Sequence, residues 1–108
     1  MDVVVKRFEI YFVNLDPAIG SEINKTRPCL IISPDEMNDS LNTIIVAPLT
    51  STIRNYPSRV DCTVAGQNGQ IGLDQLRTID KQRLGRKLGT LDPKTQKVVL
   101  EVIAEIFS

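Results

Sequence analysis

The chain has 108 residues, of which 42% are hydrophobic, 24% charged and 5% aromatic, and its 13 basic side chains balance 13 acidic ones. That length and balance suit a single domain with one core and exclude disordered, collagen-like and low-complexity classes. With no His and only Cys29 and Cys62 as thiols, the usual four-donor zinc sites and the commonest general acid–base residue are missing. No apolar run approaches the roughly 18 residues of a membrane helix. No charged-then-apolar leader opens the sequence, so both cysteines read as reduced thiols of a cytoplasmic protein.

In chain order, Val3 to Val5 and Glu9 to Leu15 are β-branched and aromatic and form the first strand region. Asp16, Pro17 and Gly20 break it, and the polar segment from Asn14 to Thr26 is long for a connection, a length that compact domains usually reserve for function. Pro28 opens a second strand, Cys29 to Ile32, followed by a helical turn over Asp35 to Asn38. Asn42 to Leu49 is the third strand. Arg59 to Val64 and Gln70 to Leu73 read as a hairpin around the turn residues Ala65 to Gly69, and Leu76 to Ile79 adds a short strand. At the C-terminus the period changes: Val98, Val99, Val102, Ile103, Ile106 and Phe107 recur at helical spacing. Asp92 is the predicted N-cap of that helix, with Pro93 at its first position. The apolar stripe is read as buried to its end. Together these elements predict a mainly β fold, a small curved sheet or barrel closed by one terminal helix.

Charge is uneven although the total is zero. Arg77, Lys81, Arg83, Arg86, Lys87, Lys94 and Lys97 face only Asp80 and Asp92, so this stretch is locally basic, either as a solvated face or as a contact for a polyanion. The sequence has no glycine-rich phosphate loop, no Gly-x-Ser-x-Gly elbow and no His to activate a Cys. Polar residues cluster instead at strand ends: Ser21, Glu22, Asn24, Lys25 and Arg27 before the second strand, Thr50 to Thr52 after the third, and Asp74 and Gln75 after the fifth. Each also has an ordinary reading, as turn composition, an ion pair or a turn cap.

Asn14-Leu-Asp-Pro17, Gly20-Ser-Glu22, Thr26-Arg-Pro28, Val46-Ala-Pro-Leu-Thr-Ser51 and Asp74-Gln-Leu-Arg-Thr-Ile-Asp80 follow one another in an order that resembles the MazF/PemK toxins of bacterial toxin–antitoxin systems, over nearly the whole chain. The resemblance implies a compact SH3-like barrel with a terminal helix, a homodimer, a cognate antitoxin as partner, and an endoribonuclease that cuts single-stranded RNA without metal or cofactor. It puts Arg27 and Thr50 at catalytic positions, Ser21 and Glu22 in the loop over the scissile phosphate, and Asp74 and Gln75 along the RNA groove; Lys25 and Ser51 complete the expected RNA-contacting set. The sequence departs from the family at Phe8, where a Gly is usual, and at Ile23-Asn-Lys25, which replaces Gln-Gly-Gly and should stiffen the loop.

This chemistry is self-consistent. The RNA 2′-hydroxyl is its own nucleophile, so the protein has to align it, accept a proton and neutralise the phosphoryl oxygens. Arg27 suits the last task as an electrostatic clamp, Thr50 supplies a hydroxyl, and Glu22 or Asp74 is the available proton acceptor. Two other classes stand beside it. A toxin of this fold that binds DNA gyrase would need an exposed tail, often with Trp. A plain nucleic-acid-binding barrel would draw on the basic stretch but has few aromatic rings for stacking.

Overall fold

The protein, a computed structural model, is described over residues 4–108, so Val3 of the expected first strand region lies outside the described residues. Seven strands and two helices follow one another as β1 (Glu9–Asn14), β2 (Thr26–Ile31), α1 (Asp35–Ser40), β3 (Thr43–Thr50), β4 (Arg59–Val64), β5 (Gln67–Gly72), β6 (Arg77–Asp80), β7 (Leu84–Thr90) and α2 (Pro93–Ile106). The sheet runs β4-β5-β3-β2-β1-β7, with β6 also paired to β3. It curls into a half-barrel with α2 across one side, the mainly β architecture that the sequence predicts. Val4 and Val5 precede β1 and are not part of a strand.

Register follows from burial. Ile10 pairs with Leu30 and Leu30 with Ala47, and all three belong to the core under α2. Tyr11 pairs with Cys29, and Ile31 with Val46, in a second core on the opposite face. A slip of one residue would exchange the two sets, so the pattern fixes the pairing. Glu9 is the charged exception in β1. Burial works against its ionisation, but the Lys87 ammonium, the Lys6 amide (2.7 Å) and the Tyr11 hydroxyl (3.2 Å) hold its carboxyl below the ordinary range. The ion pair with Lys87 also ties β7 to β1.

β3 is the shared strand. Thr43 to Val46 pair with β6, Val46 to Pro48 with β2, and Leu49 and Thr50 with β5. Pro48 has no N–H to donate and stands where the strand passes from β6 to β5 on one edge.

Four expectations need correction. β7 was not foreseen, because Leu84-Gly-Arg-Lys-Leu-Gly-Thr90 carries two glycines and two cations and no alternation. The basic stretch is not one patch: Arg77 donates to the Leu15 carbonyl (2.6 Å), Arg83 to the carbonyls of Asn14 (3.1 Å) and Asp16 (2.6 Å), Lys81 to that of Asn38, and Lys87 pairs with Glu9. The hairpin turn is only Ala65-Gly66, both at positive φ (51° and 80°), the two-residue geometry that matches strand twist. Finally, the C-terminal stripe is only partly covered. Asp92 caps α2 through the Thr95 amide at 2.9 Å with Pro93 following, as expected, and Val99 is fully buried, but Ile106 is 40% and Phe107 72% exposed. The stripe is thus exposed at its end, so a buried end no longer argues against a tail-mediated mode, and the lack of Trp carries that argument alone.

Phe8 (φ 71°) and Lys25 (φ 70°) occupy left-handed backbone, the region that disfavours a Cβ by ~1–2 kcal/mol. Both stand where the sequence departs from glycine. Lys25 is exposed, so Lys25→Gly should raise stability by ~0.5–1 kcal/mol after the entropy cost of glycine. Phe8 lies in the core under α2, and Phe8→Gly should lower stability by about 2–4 kcal/mol despite the same backbone relief. Chemical denaturation of both variants checks the contrast.

Candidate nucleic-acid interface and active site

The last β2–β3 pair is Cys29 with Pro48. One and two steps further, the register would set Pro28 opposite Leu49 and Arg27 opposite Thr50, but the strands part there and β3 continues with β5. A cleft of about 430 Å³ opens in the gap, with Arg27 and Pro28 on one side and Leu49, Thr50 and Ser51 on the other. Pro28, which still pairs with Phe12 of β1, offers no N–H to close it.

Arg27 is held by one hydrogen bond, Nε to the Asn24 carbonyl at 2.7 Å, and its terminal nitrogens have no acceptor among the described residues. Thr50 is buried and its Oγ1 accepts the Thr52 amide at 3.1 Å. With that lone pair occupied, the hydroxyl proton is left to donate. Thr50 is supported from below by Gln70, its β5 partner, whose side-chain amide joins Arg54 (3.0 and 3.1 Å) and Asp61 (3.0 Å). Gly69 makes the approach possible: a Cβ there would stand 2.8 Å from the Thr50 carbonyl oxygen. Burial pushes the Cys62 thiol in the cleft wall up to about 11 and the Cys29 thiol behind Arg27 up to about 12, so neither is a nucleophile at neutral pH. Both are free.

The other predicted site residues lie elsewhere. Glu22, Asp74 and Gln75 line a neighbouring hollow of about 290 Å³ bordered by Pro48. Glu22 Oε1 accepts the Ile19 amide (2.6 Å), and Gln75 Oε1 accepts the Ile23 amide (3.3 Å), which fastens the β1–β2 loop to the turn after β5. Asp74 is gripped by Arg59 at 2.7 and 3.2 Å and by the Ser58 hydroxyl at 3.0 Å. The Arg59 guanidinium, foremost, holds the Asp74 carboxyl below its usual value. Ser21 and Lys25 are exposed on the loop and line neither space; the Lys25 amide donates to Asp16 at 2.9 Å. The structure therefore brings together Arg27, Thr50 and Ser51, and separately Glu22, Asp74 and Gln75. Sequence reasoning missed Arg86 as an individual: it faces the same cleft from β7, its guanidinium 5.5 Å from the Phe12 ring centre. Its only signal was membership of the basic stretch, and without β7 nothing placed it.

The family profile of the PemK-like, MazF-like toxins of type II toxin–antitoxin systems matches residues 6–107. The chain is 38% identical over 106 residues to the endoribonuclease EndoA of Bacillus subtilis, covering 93% of this chain and 91% of that protein. Among solved structures it is similar to MazF of Deinococcus radiodurans, with a TM-score of 0.86 at 24% identity and 98% of both chains covered. It is also similar to a mycobacterial endoribonuclease in complex with its cognate antitoxin, with a TM-score of 0.80 at 24% identity and coverage of 94% and 92%.

Two substitutions test the geometry. Gly69→Ala should cost about 1–3 kcal/mol, since only backbone can give way, and should displace Thr50; denaturant unfolding measures the first and amide chemical shifts around Thr50 the second. Asp74→Asn should cost about 1 kcal/mol at neutral pH. Because the folded pKa of Asp74 is depressed, its contribution is present above the unfolded value near pH 4 and is lost as pH falls through the folded one, so wild-type and variant stabilities should converge in acid.

Proposed function

The chain belongs to the PemK-like, MazF-like toxins of type II toxin–antitoxin systems, and from that premise we propose that it is a metal-independent endoribonuclease that cleaves single-stranded RNA in the cytoplasm and is held in check by a cognate antitoxin. The observation that carries the reading is the pairing of a guanidinium with open terminal nitrogens and a hydroxyl free to donate across one cleft, at the parting of β2 and β3. Arg27 neutralises the phosphoryl oxygens as charge grows on them, and Thr50 donates to the same group. The substrate supplies the nucleophile, its 2′-hydroxyl, and the attack expels the 5′-oxygen of the next nucleotide, which takes a proton from solvent. The products are a 2′,3′-cyclic phosphate and a 5′-hydroxyl, and DNA is spared.

Of the two carboxylates weighed as proton acceptor, Asp74 is committed to Arg59 and Ser58, which favours Glu22 for the role. Glu22 sits on the β1–β2 loop in the hollow that adjoins the cleft, and keeps one carboxylate oxygen without a partner among the described residues. Ser21 and Lys25 on that loop, Ser51 at the cleft mouth, and Asp74 and Gln75 in the adjoining hollow extend the RNA path beyond the scissile group. The working unit is a homodimer, in line with the family.

Purified protein incubated in excess EDTA with mixed-sequence RNA and matched DNA should cleave only the RNA. Arg27→Ala and Thr50→Val should each lower the rate by about 10²–10³, and Glu22→Gln should lower it by about 10²–10⁴, the usual share of a general base. Intact RNA at high protein concentration, or full activity in Thr50→Val, would overturn the corresponding assignment.

A further inference from the structure

Among the residues that line the cleft, only Arg27 and Arg86 are charged, and no carboxylate stands among them. Arg86 owes its place to irregular pairing. Along β1 and β7, Tyr11 pairs with Lys87 but Val13 with Leu84, so β7 takes three steps where β1 takes two; a second shift falls between Ile10 and Tyr11. An extra residue on one strand re-aims the side chains around it. Gly85 lets this bulge lie close to β1, since a Cβ there would stand 3.3 Å from the Phe12 carbonyl oxygen and 3.4 Å from the Phe12 Cβ. Arg86 then lies over the Phe12 ring, 5.5 Å from its centre.

Arg86 also differs from its neighbours in what it does for the fold. Arg77, Lys81, Arg83 and Lys87 each hold a carbonyl or Glu9, whereas no salt bridge or hydrogen bond engages Arg86 among the described residues. A guanidinium stacked on an aromatic face keeps its N–H edge available for an anion, and that edge matches phosphate oxygens in pairs.

Resting on the ribonuclease reading above, we propose that Arg86 is a second phosphate-binding residue of the cleft, holding a phosphodiester next to the one that Arg27 clamps. β2 and β7 flank β1 on its two sides, so the two arginines arise from backbones roughly 10 Å apart across the sheet. Each guanidinium is held by its own anchor, Arg27 by the Asn24 carbonyl and Arg86 by the Phe12 ring, which suits successive phosphates of one strand. Phe12 provides the rigid support that an exposed arginine otherwise lacks.

The test uses a short RNA whose cleavage site has been mapped with the wild-type protein. Arg86→Gln should raise KM about tenfold with kcat within a factor of two, and should lower the slope of log kcat/KM against log salt by about 0.7, the share of one phosphate on a single strand. Arg86→Lys should fall between the two, keeping the charge but not the paired donors. Flanking phosphates are then replaced one at a time by neutral methylphosphonates. One such linkage should reproduce the Arg86→Gln loss in the wild type and have no further effect in the variant. Unchanged KM and salt slope, or a loss that adds equally to every neutral linkage, would overturn the proposal while leaving the ribonuclease reading intact. A wild type that cleaves no RNA would instead remove that reading and the proposal with it. Thermal unfolding of Arg86→Gln should match the wild type, since the side chain is exposed.

Discussion

The cleft depends on one event in the sheet, the parting of β2 from β3 after the Cys29–Pro48 pair. Up to that rung both strands are committed to two buried cores. Beyond it β3 turns to β5, and β2 is left with β1 alone. Two prolines stand at the parting, and neither can donate the ladder bond that would draw the strands back together. What would have been the next two rungs becomes an opening with Arg27 and Thr50 at its lips. Arg27 and Thr50 need no special loop to bring them together, because the antiparallel register, continued past the Cys29–Pro48 pair, already sets them opposite one another.

A chain with zero net charge still presents a cationic cleft because its charges are distributed by task. Arg77 and Arg83 hold carbonyls at the start of the β1–β2 loop, Arg59 grips Asp74, and Lys87 answers Glu9. Arg27 and Arg86 are left facing open space without a carboxylate beside them. The cationic character of the cleft comes from local arrangement, since the net charge of the whole molecule is zero.

Much of this was legible in the sequence where residue chemistry is local. The β-branched run of β1, the Asp92-Pro93 helix start and the β4 strand needed nothing beyond their own neighbourhoods. The turn between β4 and β5 was placed too broadly because Asn68-Gly69 carries the usual hairpin signal, whereas the chain turns at Ala65-Gly66; Gly69 is required instead by the crowding against Thr50. β7 was illegible because an edge strand with cations and glycines has no buried face to alternate, a composition that also keeps edges from pairing with other chains. The extent of α2 was read correctly and its burial was not, since periodicity reports which side is apolar and not how much of that side is covered. Arg27 and Thr50 could be singled out from the blocks around them. Their division from Glu22, Asp74 and Gln75 into two spaces could not, as it follows from where two strands part.

The order in which the walls arise bears on how the protein is made. β1 is the first strand of the described chain and its outer neighbour, β7, is the last. The arginines that pin the β1–β2 loop lie more than sixty positions downstream of the carbonyls they hold. A growing chain on the ribosome therefore carries Arg27 and Thr50 long before it carries the strand that closes the cleft around them. Contacts of such wide sequence separation form late, once loop closure has been overcome. The cleft has no finished wall until β7 has been made and has paired with β1, so a nascent polypeptide that already carries Arg27 and Thr50 still lacks a closed site.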